Sequence, residues 1–106
     1  MGTMAKIKYD GVIEAVHYEP TGNIKWARAY IRHGSVFTDR VLLDREKLIS
    51  DLRDGKRFYI GTRVESMGGV FQVTEPLRFL EDGNKTVIST TDKITDQDHL
   101  INVPVV

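Results

Sequence analysis

The sequence predicts a mainly β fold: a small antiparallel β-barrel or rolled sheet with one short helix near residues 45–54. Three observations predict it. Most segments are rich in β-branched and aromatic residues and alternate with a period of two, the pattern that turns one strand face inward. Turn-forming residues separate them, in Glu19-Pro20-Thr21-Gly22-Asn23, Gly34-Ser35, Met67-Gly68-Gly69 and Glu81-Asp82-Gly83-Asn84-Lys85. Only DREKLISDLRDGKRFYIGT, residues 44–62, carries helical spacing, and it runs straight into another strand.

That helix has both of its stop signals. Asp44 is a good N-cap, because its carboxylate can accept from an otherwise unpaired first-turn N–H. Leu43 and Leu48 have the spacing of a hydrophobic staple. Leu48, Ile49 and Leu52 form the apolar stripe, and Gly55 suits the left-handed position just past the helix end.

In chain order, residues 6–19 form a first long strand, with a bulge or bend expected at Gly11. The second strand, residues 24–33, splits into two faces: Ile24, Trp26, Arg28, Tyr30 and Arg32 on one side, Lys25, Ala27, Ala29, Ile31 and His33 on the other. Two placements compete. Either the small Ala27–Ala29–Ile31 face looks inward and the aromatic–arginine face lies outside, or Trp26 and Tyr30 are core and the arginines cap the rim. Residues 36–43 form the third strand and 56–65 the fourth, with Phe58, Ile60, Thr62 and Val64 inward and Arg57, Tyr59 and Arg63 outward. Residues 70–74 form the fifth strand, and Pro76 marks an edge. Residues 77–80 and 86–90 flank a last hairpin turn. Residues 91–99 read as a polar, solvated loop, and 100–106, LINVPVV, as a terminal strand or tail.

Three strands, a helix and two strands is an element order that resembles the OB-fold, a five-stranded Greek-key barrel with a bent first strand. The resemblance is one of element order and covers residues 6–74; the hairpin and tail after Pro76 depart from it. It implies that the second and third strands are the oligonucleotide face.

Composition narrows the function classes. At 106 residues, with 41% hydrophobic and 28% charged, the chain suits a single globular domain over residues 1–106 rather than a disordered one. Residues 1–5 are expected to be disordered or tag-derived. With no cysteine there is no disulfide, thiolate metal site or cysteine nucleophile, which agrees with a cytoplasmic setting. No apolar run approaches the ~20 residues that span a bilayer, so no membrane partner is expected. The formal charge is zero, but residues 1–80 hold 13 basic and 10 acidic residues while 81–106 hold two and five. A strongly non-specific nucleic-acid binder would be more basic.

No catalytic constellation appears, and neither a cofactor nor a metal is expected. His17, His33 and His99 share no ligand spacing, although folding about residues 19–23 brings His17 near Lys25 or Trp26. GKRFYIGT lacks P-loop spacing, Asp92, Asp96 and Asp98 lack the EF-hand pattern, and no G-x-S-x-G elbow is present. The candidate that remains is a binding face. Trp26, Arg28, Tyr30 and Arg32, with Arg40 and an extension to Tyr59 and Arg63, combine flat rings with guanidinium groups at strand spacing. Such a surface stacks bases and meets phosphates. Single-stranded nucleic acid is therefore the first expected partner. The alternative is a protein partner or homodimer, engaged through sheet edges and the C-terminal strand.

Overall fold

The computed structural model describes residues 9–34, 36–64, 71–83, 85–90, 97–100 and 103–106, with backbone alone at positions 82 and 85. Strand β1 (Gly11–Tyr18) runs through the middle of the main sheet. It pairs antiparallel with β2 (Ile24–His33) and parallel with β5 (Phe58–Arg63). The outer edge of β2 takes β3 (Val36–Phe37) and then β4 (Val41–Asp44). β5 pairs antiparallel with β6 (Phe71–Pro76), and β7 (Arg78–Asp82) with β8 (Lys85–Ser89) makes a separate hairpin.

The fold is mainly β with one short helix, as the alternation predicts. Closure into a barrel is the part that needs correction. Among the described residues the sheet is open, with β3 and β4 at one side and β6 at the other, and its β1–β5 pair is parallel. The parallel pair follows from the route of the chain: α1 (Arg45–Arg53) carries it back across one face, so β5 enters beside β1 in the same direction.

A central strand with both faces covered should be apolar throughout, and β1 nearly is. Ile13 and Val16 face a large core with Ile24, Ala27, Ala29, Leu43, Phe58 and Ile60. The helix closes this core with Leu48 and Leu52, the β7–β8 hairpin with Ile88, and the tail with Leu100 and Val103. Each valine, leucine, isoleucine or phenylalanine among them stabilises by about 1.5–3 kcal/mol through the area it withdraws from water. On the other face Val12, Tyr30 and Phe71 form a smaller cluster edged by Tyr9, Phe37 and Val73.

The helix forms where its caps place it. The Asp44 carboxylate accepts from the Lys47 amide at 2.8 Å, and Gly55 has φ of 86° just past the C-cap. Elsewhere the boundaries shift for local reasons. The expected kink at Gly11 is a regular pair with Ile31; the register slips at Glu14 instead, between Ile13 and Ala15. Gly11 is needed for another reason, since a Cβ there would lie 2.5 Å from the buried Phe58 ring. The single strand expected over 36–43 is two short ones, because residues 38–40 insert an extra position between them and the Thr38 hydroxyl accepts from the Ile31 amide. Residues 81, 82 and 85 belong to strands rather than to a loop. A further register shift lies beside Gly61, and Thr62 is exposed instead of inward.

Asp98 overturns the expectation of a solvated loop. It is buried, and its carboxylate accepts from the amides of Ile24 and Ile88 and from Arg45 Nε and Nη2 at 2.7–3.1 Å. Hydrogen bonding to Asp98 is the main cause that raises the Arg45 pKa above its ordinary value. The tail meets its own chain: Val105 bridges Val16 in parallel, with Val16 donating to Pro104 and Val106 donating to Val16. Met67, Gly68, Gly69, Val70, Asp92 and Asp96 lie outside the described residues. No helix among the described residues is long and apolar enough to cross a membrane.

Candidate functional site

Strand β2 alternates as its sequence requires from Trp26 onward. Ala27 and Ala29 face the main core, with Ile31 packed against it, while Trp26, Arg28, Tyr30 and Arg32 share the opposite face. Ile24 departs from this pattern. The register shift between His17 and Tyr18 turns it into the main core beside Ala27. The two placements weighed from the sequence are thus each half realised. The alanine face is core, yet Tyr30 on the other face is only 2% exposed, buried in the smaller cluster. Trp26 is half-buried and Arg32 is exposed.

The centre of this face is a residue that the sequence reading passed over. Glu14 sits at the register slip of β1, and its side chain is 10% exposed. Its Oε1 accepts from Arg28 Nε at 2.8 Å and from Arg40 Nε at 2.5 Å, and its Oε2 accepts from the Tyr30 hydroxyl at 3.2 Å. The Arg40 and Arg63 guanidinium groups stand over the Tyr30 ring, 5.7 and 5.9 Å from its centre. Burial first, and then the Glu14 charge, push the Tyr30 hydroxyl pKa above its ordinary value. Glu14 in turn raises that of Arg40. Arg63 also approaches Asp39, at 4.0 Å. An open depression of about 370 Å³ has Glu14 and Tyr30 at its inner side and Arg40, Arg63, Asp39 and Thr62 around it.

On one flank of the depression His17 pairs with Trp26 across the β1–β2 ladder. Their rings stack at 5.2 Å with an interplanar angle of 16°. His17 Nδ1 lies 2.6 Å from the Val106 main-chain oxygen, a distance at which that nitrogen carries the proton and donates. On the other flank Arg32 stands over the rings of Tyr9 and Phe37. Of the residues singled out from sequence, Arg28, Tyr30 and Arg40 converge on Glu14, and Arg63 joins them at the Tyr30 ring. Trp26 and Arg32 flank them on the same face. Tyr59 packs instead against Tyr9. His33 is exposed at the end of β2 and His99 is exposed in an isolated bridge to Ser89, and no three metal-ligating side chains gather among the described residues.

A signal for Glu14 did exist. In GVIEAVHY it is the only carboxylate inside an otherwise apolar run, and a charge in a strand covered on both faces needs a cationic partner.

No protein-family model, curated protein or solved structure matches this chain. The meaning of the face therefore rests on its own geometry. Two kinds of surface stand side by side on one sheet face: the half-buried His17–Trp26 ring pair, and the guanidinium groups of Arg28 and Arg40 held together by the Glu14 carboxylate. The first suits a planar ring, the second an oxyanion.

Proposed function

We propose that this chain is a non-catalytic, cytoplasmic binding module that takes single-stranded nucleic acid across the face of Trp26, Arg28, Tyr30, Arg32 and Arg40. The observation that carries the reading is the array itself: the His17–Trp26 stack and the guanidinium groups of Arg28, Arg40 and Arg63 on one sheet face. A base stacked on an aromatic ring is worth about 1–3 kcal/mol, and any base can supply it. Arginines already ordered by Glu14 and by the Tyr30 ring lose little further freedom on meeting a phosphate. The element order through β6 still resembles the OB order, in which the second and third strands carry oligonucleotides, and here β2 and the β3–β4 segment carry the arginines. Neutral net charge argues for modest affinity without strong non-specific attraction.

Trp26 is the only tryptophan, so its fluorescence reports on the face without interference. Short oligothymidylates should change its emission and weaken in binding as salt rises, because each neutralised phosphate releases counterion, about 0.7 in log–log slope per contact on a single strand. Emission indifferent to oligonucleotide from low to moderate salt would remove the proposal.

Self-association is the second reading, and one observation favours it. Leu42 is 62% exposed on β4, at the outer edge of the sheet where the described residues provide no further strand. A second copy adding edge to edge would cover it. In that case sedimentation should show a dimer that persists at high salt and dissociates in Leu42→Lys. A monomer at all concentrations would leave this reading without support.

A further inference from the structure

We infer that the groove between the end of α1 and strand β7 is a binding site for a small apolar carboxylate, an aliphatic or aromatic acid with one anionic head. It shares no residue with the Glu14 depression and stands apart from the nucleic-acid reading. The groove opens where two stretches of chain part. β5 and β6 pair at Tyr59 and Pro76, and the Leu77 amide donates to the Phe58 carbonyl at 2.8 Å. Beyond that bond the chain continues as β7 and pairs with β8 instead, leaving a wedge of about 470 Å³. Small-molecule pockets span about 300–1,000 Å³. The wedge closes at the Phe58–Leu77 bond, so it suits the end of a short molecule rather than a chain passing through.

The floor of the groove is apolar. Leu52 from α1, Phe58 and Leu77 are buried along it, while Phe79 and Leu80 are half-buried. A hydrocarbon laid against the last two withdraws their remaining apolar area from water.

Charge sets this groove apart from the other hollows. Glu14 and Asp39 accompany the arginines of the first depression, and along α1 Glu46 and Asp54 stand with Arg45 and Arg53. Among the described residues this lining holds Lys56, Arg57 and Arg78 and no carboxylate. Acids outside it leave part of that charge unmatched. Asp51 reaches Lys56 at 3.6 Å but also holds Lys47 at 3.0 Å, one carboxylate for two ammonium groups. Asp10 accepts from the Arg57 main-chain amide, whereas the Arg57 guanidinium has no ion pair or hydrogen bond among the described residues. Arg78 has an interaction of its own, so the unmatched charge lies on the opposite lip, at Lys56 and Arg57. A carboxylate head meets that lip with charge-assisted hydrogen bonds while its apolar body fills the wedge.

Octanoate and octanol carry hydrocarbon of the same length and differ in the charge of the head, so the pair tests both halves of the site. Octanoate titrated at neutral pH, where its carboxylate is ionised, should shift the amide resonances of Gly55, Arg57, Phe79 and Leu80 in isotope-labelled protein. Those of Ala27 and Ala29 should stay in place. Octanol should bind the same groove about fivefold more weakly, the worth of an exposed charge contact. Arg57→Gln, on an exposed side chain without a partner, should weaken octanoate about two- to fivefold and leave octanol unchanged. No shift at millimolar octanoate overturns the site, and so do shifts spread over the sheet rather than gathered at the groove. Equal affinity for the two probes, or an Arg57→Gln protein that binds octanoate as well as the unmodified chain, also overturns it. If the groove resonances move with protein concentration before any probe is added, a second copy fills the groove and the carboxylate site is overturned as well.

Discussion

Asp98→Ala should cost the protein about 3–5 kcal/mol, the range for removing one partner of a buried ion pair. The Asp98 side chain is fully buried, and four donors converge on its two oxygens. Two of them are main-chain amides, of Ile24 at the start of β2 and of Ile88 in β8. The other two belong to Arg45, the first residue of α1, whose Nη2 also donates to the Thr86 carbonyl. One carboxylate therefore ties the main sheet, the helix and the separate hairpin together. With alanine in its place, two buried amides lose their acceptor and the Arg45 charge loses its counterion, each a desolvation cost without return. Asp98→Asn should fare only somewhat better, because its NH2 group would face donors. Urea denaturation measures the loss, and Asp44→Ala provides the scale: removing that exposed N-cap should cost about 1 kcal/mol. If Asp98→Ala unfolds at nearly the same urea concentration as Asp44→Ala, the clamp does not hold these elements together.

Asp98 also shows where sequence reasoning stops. In TTDKITDQDH it stands among polar residues, and nothing local separates a buried carboxylate from a solvated one. Its role is set by partners 53 and 74 positions away, Arg45 and Ile24. The helix is the opposite case. Its N-cap bond spans three residues, its apolar stripe repeats within two turns and Gly55 follows directly, so the whole element is readable from one short window. The β2 face lies between these extremes. Alternation sorts Trp26, Arg28, Tyr30 and Arg32 from Ala27 and Ala29, but cannot say what covers the aromatic side. Tyr30 is buried by Phe71 from β6, a strand whose place in the sheet depends on the parallel β1–β5 pairing. Strand order is a long-range property, which is why the open sheet was less legible than its strands. The His17–Trp26 pair was half legible: folding about one short turn brings His17 near Lys25 or Trp26, and the register of the ladder selects Trp26.

Gly61→Val should destabilise by about 3 kcal/mol and Gly61→Ala by about 1–2 kcal/mol, at and within the usual range for overpacking. Strand statistics point the other way, since glycine weakens a strand interior and valine favours one. Sterics decide the sign here. A Cβ at Gly61 would lie 2.4 Å from the Gln72 carbonyl oxygen and 2.9 Å from the Val73 Cα, both main-chain atoms of β6. A side-chain tip could rotate aside, but a backbone can move only with its strand. The approach is close beside Gly61, where the register between β5 and β6 slips and the β6 backbone lies over it. Displacing β6 would disturb Phe71 as well, and with it the packing under Tyr30 and the arginine face. The valine variant should therefore show two linked changes, a lower urea midpoint and a Tyr30 environment more open to solvent. Gly11→Ala is the informative comparison. The atoms nearest its Cβ would all belong to the Phe58 ring, a buried side chain that gives way only at a cost, whereas at Gly61 they include main-chain atoms of a whole strand. Equal losses at Gly11 and Gly61 would mean that β6 yields as easily as a ring, and the close β5–β6 approach would then carry no structural constraint.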